Sequence, residues 1–342
     1  MLKLVLFLVL FVIPSVLYPQ GKVQKIVFPI SKSVSHKTIS IPPKIYASLS
    51  TILIYENYLV SIEPDSDTIF SIFQLPGCKY IGSFGKIGRG PGEFFTFDAR
   101  NAFVTQDGIK FKDTRNQFVE VNLRSYLKTG KPSLTIIKLP GEMDTMSDGF
   151  QLNDSIYCGR PYMGGRDNKP YIRCNIKTKV VETYGEWPNL YPKERQKTFW
   201  TLYGGRSRVK PDKTMYVSFL NVIKMFRIYD SAGNLKKEVV MELQDNLFDG
   251  DWIKSYPVLY YTCIRTTNKY IYALNIACRG PDSPKTIPSL EIWDWNGNPV
   301  ANLKLDIPVS QFDITRDGKS VYCIDWVTMD KIFLYDLGDI IK

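Results

Sequence analysis

Lys224-Met225-Phe226-Arg227-Ile228-Tyr229-Asp230, then a turn at residues 231–234, then residues 235–243: this short strand, polar turn and second strand decide how the chain reads. Leu290-Glu291-Ile292-Trp293-Asp294-Trp295, the turn Asn296-Gly297 and residues 299–305 repeat the same grammar. Apolar and polar residues mixed over so short a span suit a pleated strand, and Asn-Gly supplies the tight turn between two of them. Lys331-Ile332-Phe333-Leu334-Tyr335-Asp336 repeats only the first half before the sequence stops.

Upstream of each such hairpin lies a second one. Residues 312–324 turn at Asp317-Gly318, residues 103–111 turn at Asp107-Gly108, and residues 209–217 turn at Pro211-Asp212. Two hairpins in succession make four strands, and four strands recurring at intervals of tens of residues are the sequence pattern of a β-propeller blade. Six units follow: residues 49–84, 97–139, 143–184, 198–243, 256–305 and 311–337. The expected fold is all-β, a six-bladed propeller of four-stranded antiparallel blades. The last unit is one strand short. Residues 23–29, Val23-Gln24-Lys25-Ile26-Val27-Phe28-Pro29, resemble residues 236–241 and are expected to pair with the strand around residues 332–335, closing the ring with an N-terminal strand.

The most distinctive run is Phe84-Gly85-Lys86-Ile87-Gly88-Arg89-Gly90-Pro91-Gly92-Glu93-Phe94. It resembles the F-G-x-x-G-x-G-P-G-E-F linker of TolB-like and NHL-type six-bladed β-propellers of exported Gram-negative bacterial proteins. The blade grammar extends that resemblance over nearly all of residues 21–342, read as one propeller domain. Gly85, Gly88, Gly90 and Gly92 suit an inter-blade crossing that needs positive φ, and Pro91 stiffens it. Glu93 is expected to accept backbone N–H bonds and Phe94 to plug the seam between blades. The glycines also resemble a phosphate loop, but such a loop needs a helix after it, and residues 94–97 read as a strand.

With 342 residues, 44% hydrophobic and 23% charged, the chain has apolar content for a large core, which excludes disorder and a coiled coil. Its 44 basic and 34 acidic residues give a net charge of +10, but the basic residues are dispersed among acidic ones and form no nucleic-acid arm. Lys3 followed by ten apolar residues ending at Pro14 reads as a secretory signal, or as an anchor left uncleaved, within residues 1–20. The expected location is therefore the periplasm, cell envelope or extracellular space, with membrane contact only through an uncleaved N-terminus. Six cysteines without a C-x-x-C pair read mostly as buried free thiols, although Cys158 and Cys174 are placed to face each other across a hairpin.

His36 is the single histidine, so a multi-histidine metal centre is excluded; a Ser-His-Asp triad would have to use it, no G-x-S-x-G elbow occurs, and it reads as a loop residue. Calcium held by channel carboxylates such as Asp98, Asp148 and Asp313 stays open, against the plainer reading of these residues as turn formers. The expected ligand surface lies between residues 191 and 213. There Lys193, Arg195, Arg206 and Arg208 are interleaved with Trp200 and Tyr203, a combination of cationic forks and aromatic faces. The functional expectation is a monomeric, non-enzymatic, exported propeller that binds a protein or glycan partner, and no nucleic acid, through loops at one mouth of its channel. The rival is a propeller hydrolase or lyase using channel carboxylates, with calcium.

Overall fold

In a computed structural model, the described residues are 23–42, 50–90, 92–161, 167–191, 202–244, 256–328 and 330–341. Each sequence unit becomes one antiparallel sheet with its first strand innermost. Blade 1 comprises Thr51–Tyr55, Tyr58–Ile62, Phe70–Gln74 and Lys79–Phe84. Blade 2 has Phe103–Val104, Gly108–Asp113, Gln117–Asn122 and Ser133–Lys138, with the helix Leu123–Thr129 between its outer strands. Blades 3 and 4 follow as Met146–Gln151, Ile156–Pro161, Tyr171–Asn175 and Val181–Tyr184, then Gly205–Val209, Met215–Leu220, Lys224–Asp230 and Leu235–Glu242. Blade 5 is Val258–Thr266, Tyr270–Arg279, Ser289–Asp294 and Pro299–Lys304, and blade 6 begins with Val309–Ile314, Ser320–Asp325 and Lys331–Asp336. Neighbouring inner strands pack against one another, the sixth against the first, and the 3-10 turn Ala99–Asn101 bridges the second blade to the third.

Most strands are buried on both faces because each blade is sandwiched between two others. An apolar cluster fills each seam. Phe70, Phe94, Phe97 and Phe111 join blades 1 and 2, and Phe226, Tyr261 and Trp293 join blades 4 and 5. Phe97 and Phe111 stack with centroids 3.9 Å apart. Buried side chains of this size stabilise by roughly 3 to 5 kcal/mol each relative to Ala, so the seams hold the ring.

The N-terminal segment departs from the sequence expectation. Residues 23–29 do not reach blade 6. Gln24 N donates to the Val240 carbonyl on blade 4 at 2.7 Å, and Phe28 meets Trp293 edge-on at 5.0 Å. Ile30–Ser33 then runs parallel to Pro299–Lys304 as a fifth strand of blade 5. The strand paired with Lys331–Asp336 is Lys37–Ser40, antiparallel, with Ile39 opposite Ile332. The alternation that suggested a closing strand is real, but its inward residues, Ile26 and Phe28, are spent on the outer rim of the seam between blades 4 and 5.

The hairpin register also separates Cys158 from Cys174. Cys158 lies opposite Arg173 and Cys174 opposite Tyr157, so the two thiols point to opposite faces of the sheet and enter different seams. All six cysteines are free, and burial pushes the Cys158 thiol up to about 12.

All six inner strands run in one direction, so the ring has two unlike ends. Where the inner strands begin, the connections between blades include residues 85–102, 139–145 and 305–308. At the other end, inner strands turn into second strands through short links such as residues 56–57, 105–107 and 267–269. The end carrying the long connections has the chain length to build a recognition surface.

Candidate binding site in the central channel

Arg206 and Arg208 are two residues apart on Gly205–Val209, so they leave the same side of the strand. Arg206 Nη1 donates to Asn101 Oδ1 at 2.5 Å and lies 3.7 Å from Asp98 Oδ2. Arg208 Nη2 donates to the Arg100 carbonyl at 2.7 Å, and its Nη1 lies 3.6 Å from Asp148 Oδ1. Both therefore reach from blade 4 to the turn that precedes blade 2. Asp98 builds that turn: its carboxylate accepts from Arg100 N at 3.0 Å and Arg100 Nε at 2.9 Å, capping Ala99–Asn101.

Two further arginines complete the network. Arg160, on the second strand of blade 3, places Nε 3.9 Å from Asp148 Oδ2 and donates to the Tyr203 carbonyl and the Ser218 hydroxyl. Arg265, on the inner strand of blade 5, sits 3.2 Å from Asp313 Oδ1 and donates to Thr51 Oγ1 and the Ile52 carbonyl, each at 3.1 Å. Asp313 in turn accepts from Ile54 N at 2.6 Å. Five guanidinium groups (Arg100, Arg160, Arg206, Arg208 and Arg265) thus face three carboxylates (Asp98, Asp148 and Asp313).

Electrostatics divides the carboxylates into two kinds. At Asp98 burial opposes ionisation, but the hydrogen bonds and charges of Arg100 and Arg206 outweigh it and hold the carboxyl below its usual value. At Asp148 burial dominates and raises the carboxyl, against the pull of Arg208, Arg206 and Arg160. Asp313 is likewise raised by burial despite Arg265 and its backbone donors. Burial, with Arg265 nearby, lowers Arg208, while Asp148 acts the other way.

The three residues singled out for calcium thus each face a guanidinium. Among the described residues no group of three His, Cys, Asp or Glu side chains is placed to hold a metal ion. A surplus of forked cationic donors suits an oxyanion, which guanidinium recognises through paired N–H bonds.

Of the other expected ligand residues, Tyr203 is 1% exposed and its ring stacks on Trp187 at 5.6 Å, so it belongs to the packing of blade 4 and not to an open face. Beside it, Arg160, Tyr171, Trp187 and Arg227 border a cavity of about 10 Å³, room for about one water. Lys193, Arg195 and Trp200 lie outside the described residues, as do Pro91 and the apolar N-terminal run within residues 1–20.

The glycine linker fills itself. Gly85 and Gly92 have φ of 88° and 80°, whereas Gly88 and Gly90 do not take positive φ. Gly90 N donates to Glu93 Oε2 at 2.6 Å, and Gly88 N to the Phe94 carbonyl at 2.9 Å. Both amide groups are thus taken up by the chain itself, and Phe94, 2% exposed, packs against Phe70 and Phe111.

Sequence reasoning missed Arg100, Asn101, Arg160 and Arg265. The signal present was a lone arginine inside an otherwise apolar run, as in Tyr260-Tyr261-Thr262-Cys263-Ile264-Arg265. Such a residue has to be paired if it is buried.

The chain matches no protein-family model and no curated protein sequence. It is similar in fold to a member of the DUF4221 family from Bacteroides vulgatus, with a TM-score of 0.58 and 11% identity over 88% of this chain and 95% of that one. It is similar also to a "Putative exported protein" from Bacteroides fragilis, with a TM-score of 0.56 and 13% identity over 90% of this chain and 98% of that one. At these identities the likeness is one of fold.

Proposed function

We propose that this chain is an exported binding protein that holds an oxyanion-bearing ligand, a sulfated or uronic-acid glycan, at the loop-bearing mouth of its channel. The observation that carries the reading is the surplus of guanidinium groups over carboxylates toward that end, Arg100, Arg160, Arg206 and Arg208 against Asp98 and Asp148. The Arg100 side chain, 41% exposed, and Arg206 beside it are the members closest to solvent. A positive, partly desolvated mouth raises the local concentration of anions and binds them in paired geometry. Export is supported by the apolar N-terminal run and by the description of the Bacteroides fragilis neighbour. A rigid ring bearing longer connections at one end fits binding without chemistry.

The test is calorimetric titration with dextran sulfate and polygalacturonate. Arg206→Ala should weaken binding by about tenfold or more, the worth of one charge-assisted contact of roughly 1.5 to 3 kcal/mol. The residual binding should depend less on salt. Failure of both polyanions to bind, or binding unchanged by Arg206→Ala, would overturn this reading. Capture of a neutral protein partner through the same face would replace it.

A further inference from the structure

Asp148 is placed unlike any other carboxylate of the network. It sits on the inner strand of blade 3 with φ of 47°, a left-handed conformation uncommon for a residue with a side chain. Its side chain is 4% exposed, and neither carboxylate oxygen has a hydrogen-bond partner among the described residues. Its guanidinium neighbours stand off at 3.6 and 3.9 Å, beyond hydrogen-bond reach. The charged groups facing it are Arg160 from the second strand of its own blade, Arg206 and Arg208 from the inner strand of blade 4, and Arg100 with Asp98 from the turn packed against its strand. A buried carboxylate held mainly by charge, with only the Ser207 hydroxyl as a neighbouring donor, loses little in taking up a proton.

We propose that Asp148 is the proton switch of this oxyanion site: its carboxyl takes up a proton as sulfate or carboxylate groups bind at Arg100, Arg206 and Arg208. The inference rests on the binding function proposed above. Ionised, Asp148 competes with the ligand for Arg208. Protonated, it withdraws that competition, and the guanidinium field turns to the mouth. Because linkage is reciprocal, ligand binding draws the proton in by the same free energy that the proton lends to binding. Affinity therefore rises as pH falls, by up to ~tenfold per pH unit for one linked proton.

The experiment is calorimetric titration of the full chain with dextran sulfate, whose sulfate esters stay ionised, from pH 8 to 4.5. Repeating it in buffers of different ionisation enthalpy reads proton uptake directly on the unaltered protein. The expected result is tighter binding toward acid with uptake of up to one proton per bound anionic group. Asp148→Asn should bind with little pH dependence, whereas His36→Asn, which changes the single histidine, packed on the outer part of blade 6 against Phe333 and Tyr335, should keep the slope. Binding without proton uptake, or a slope that survives in Asp148→Asn, would overturn the switch and leave the binding function standing. Absence of binding at every pH would overturn both. If Asp148→Asn does not fold, proton uptake by the unaltered chain decides.

Discussion

At the scale of single residues, glycine and arginine carry information of opposite legibility. Gly85, Gly88, Gly90 and Gly92 stand out in the sequence, yet they differ in what a side chain would meet. At Gly85 a Cβ would lie 3.0 Å from Phe70 and 3.1 Å from Phe94, with φ of 88° besides. At Gly92 there is open space and only φ, 80°, resists. At Gly88 a Cβ would fall 2.0 Å from Glu93 Oε2, the movable end of a side chain that would swing away and release its bond to Gly90. Gly85→Ala is therefore expected to cost most, about 2 kcal/mol or more from conformation and crowding together. Gly88→Ala and Gly92→Ala should each cost about 1 kcal/mol. Thermal melts of the three variants check the order; equal losses would show that the Phe70–Phe94 seam tolerates expansion. The arginines are the reverse case. Arg160 and Arg265 read as isolated charges in strands, and only the fold brings them to Asp148 and Asp313.

Among elements, a blade was legible where strand patterning and turn chemistry agreed. The Asp107-Gly108 and Asp317-Gly318 turns fix the hairpins of Phe103–Val104 with Gly108–Asp113 and of Val309–Ile314 with Ser320–Asp325. The strand that completes blade 6 was not legible, because Lys-Thr-Ile-Ser at Lys37–Ser40 has one apolar residue, and pairing with an existing edge supplies the rest of its stability. Residues 24–40 instead form a strap across blades 4, 5 and 6, pinned between its two strands by His36. His36 Nδ1 lies 2.9 Å from Asp306 Oδ1, and Tyr335 donates to the same oxygen at 2.7 Å. Trimming the chain to begin at residue 36 should lower the melting temperature modestly, since the sheet of blade 6 keeps four strands. Trimming to residue 42 also removes Lys37–Ser40 and Ile41, which is 3% exposed, and opens the edge of Lys331–Asp336. The second step should lower the melting temperature further and bring aggregation. Equal melting temperatures for the two truncations would mean that Lys37–Ser40 contributes nothing to closure.

For the molecule as a whole, ring closure makes the channel a shared structure. Asp313 joins three blades at once: it belongs to blade 6, pairs with Arg265 of blade 5 and accepts from Ile54 N of blade 1. Its titration should therefore register in global unfolding. Burial raises its carboxyl in the folded state, so between its unfolded and folded values the native protein holds a proton that the unfolded chain releases. The sign follows from linkage: stability from this group is full below the ordinary carboxylate value near 3.8, falls as pH rises through the raised value and is flat above it. Rim carboxylates such as Asp306, held below their usual value by His36 and Tyr335 against the opposing effect of burial, act in the other direction and are lost as pH falls. Asp313→Asn removes the first effect and leaves the second. The melting temperature of the variant relative to the unaltered chain should accordingly climb as pH rises from about 3.8 through the raised value and then level off. It should do so in a single transition, seen alike by near- and far-ultraviolet circular dichroism, because no blade can release Asp313 without its two neighbours. A difference that ran the opposite way with pH would place the carboxylate in a net stabilising ion pair with Arg265. Two separate transitions would mean that the seams between blades 5, 6 and 1 melt independently.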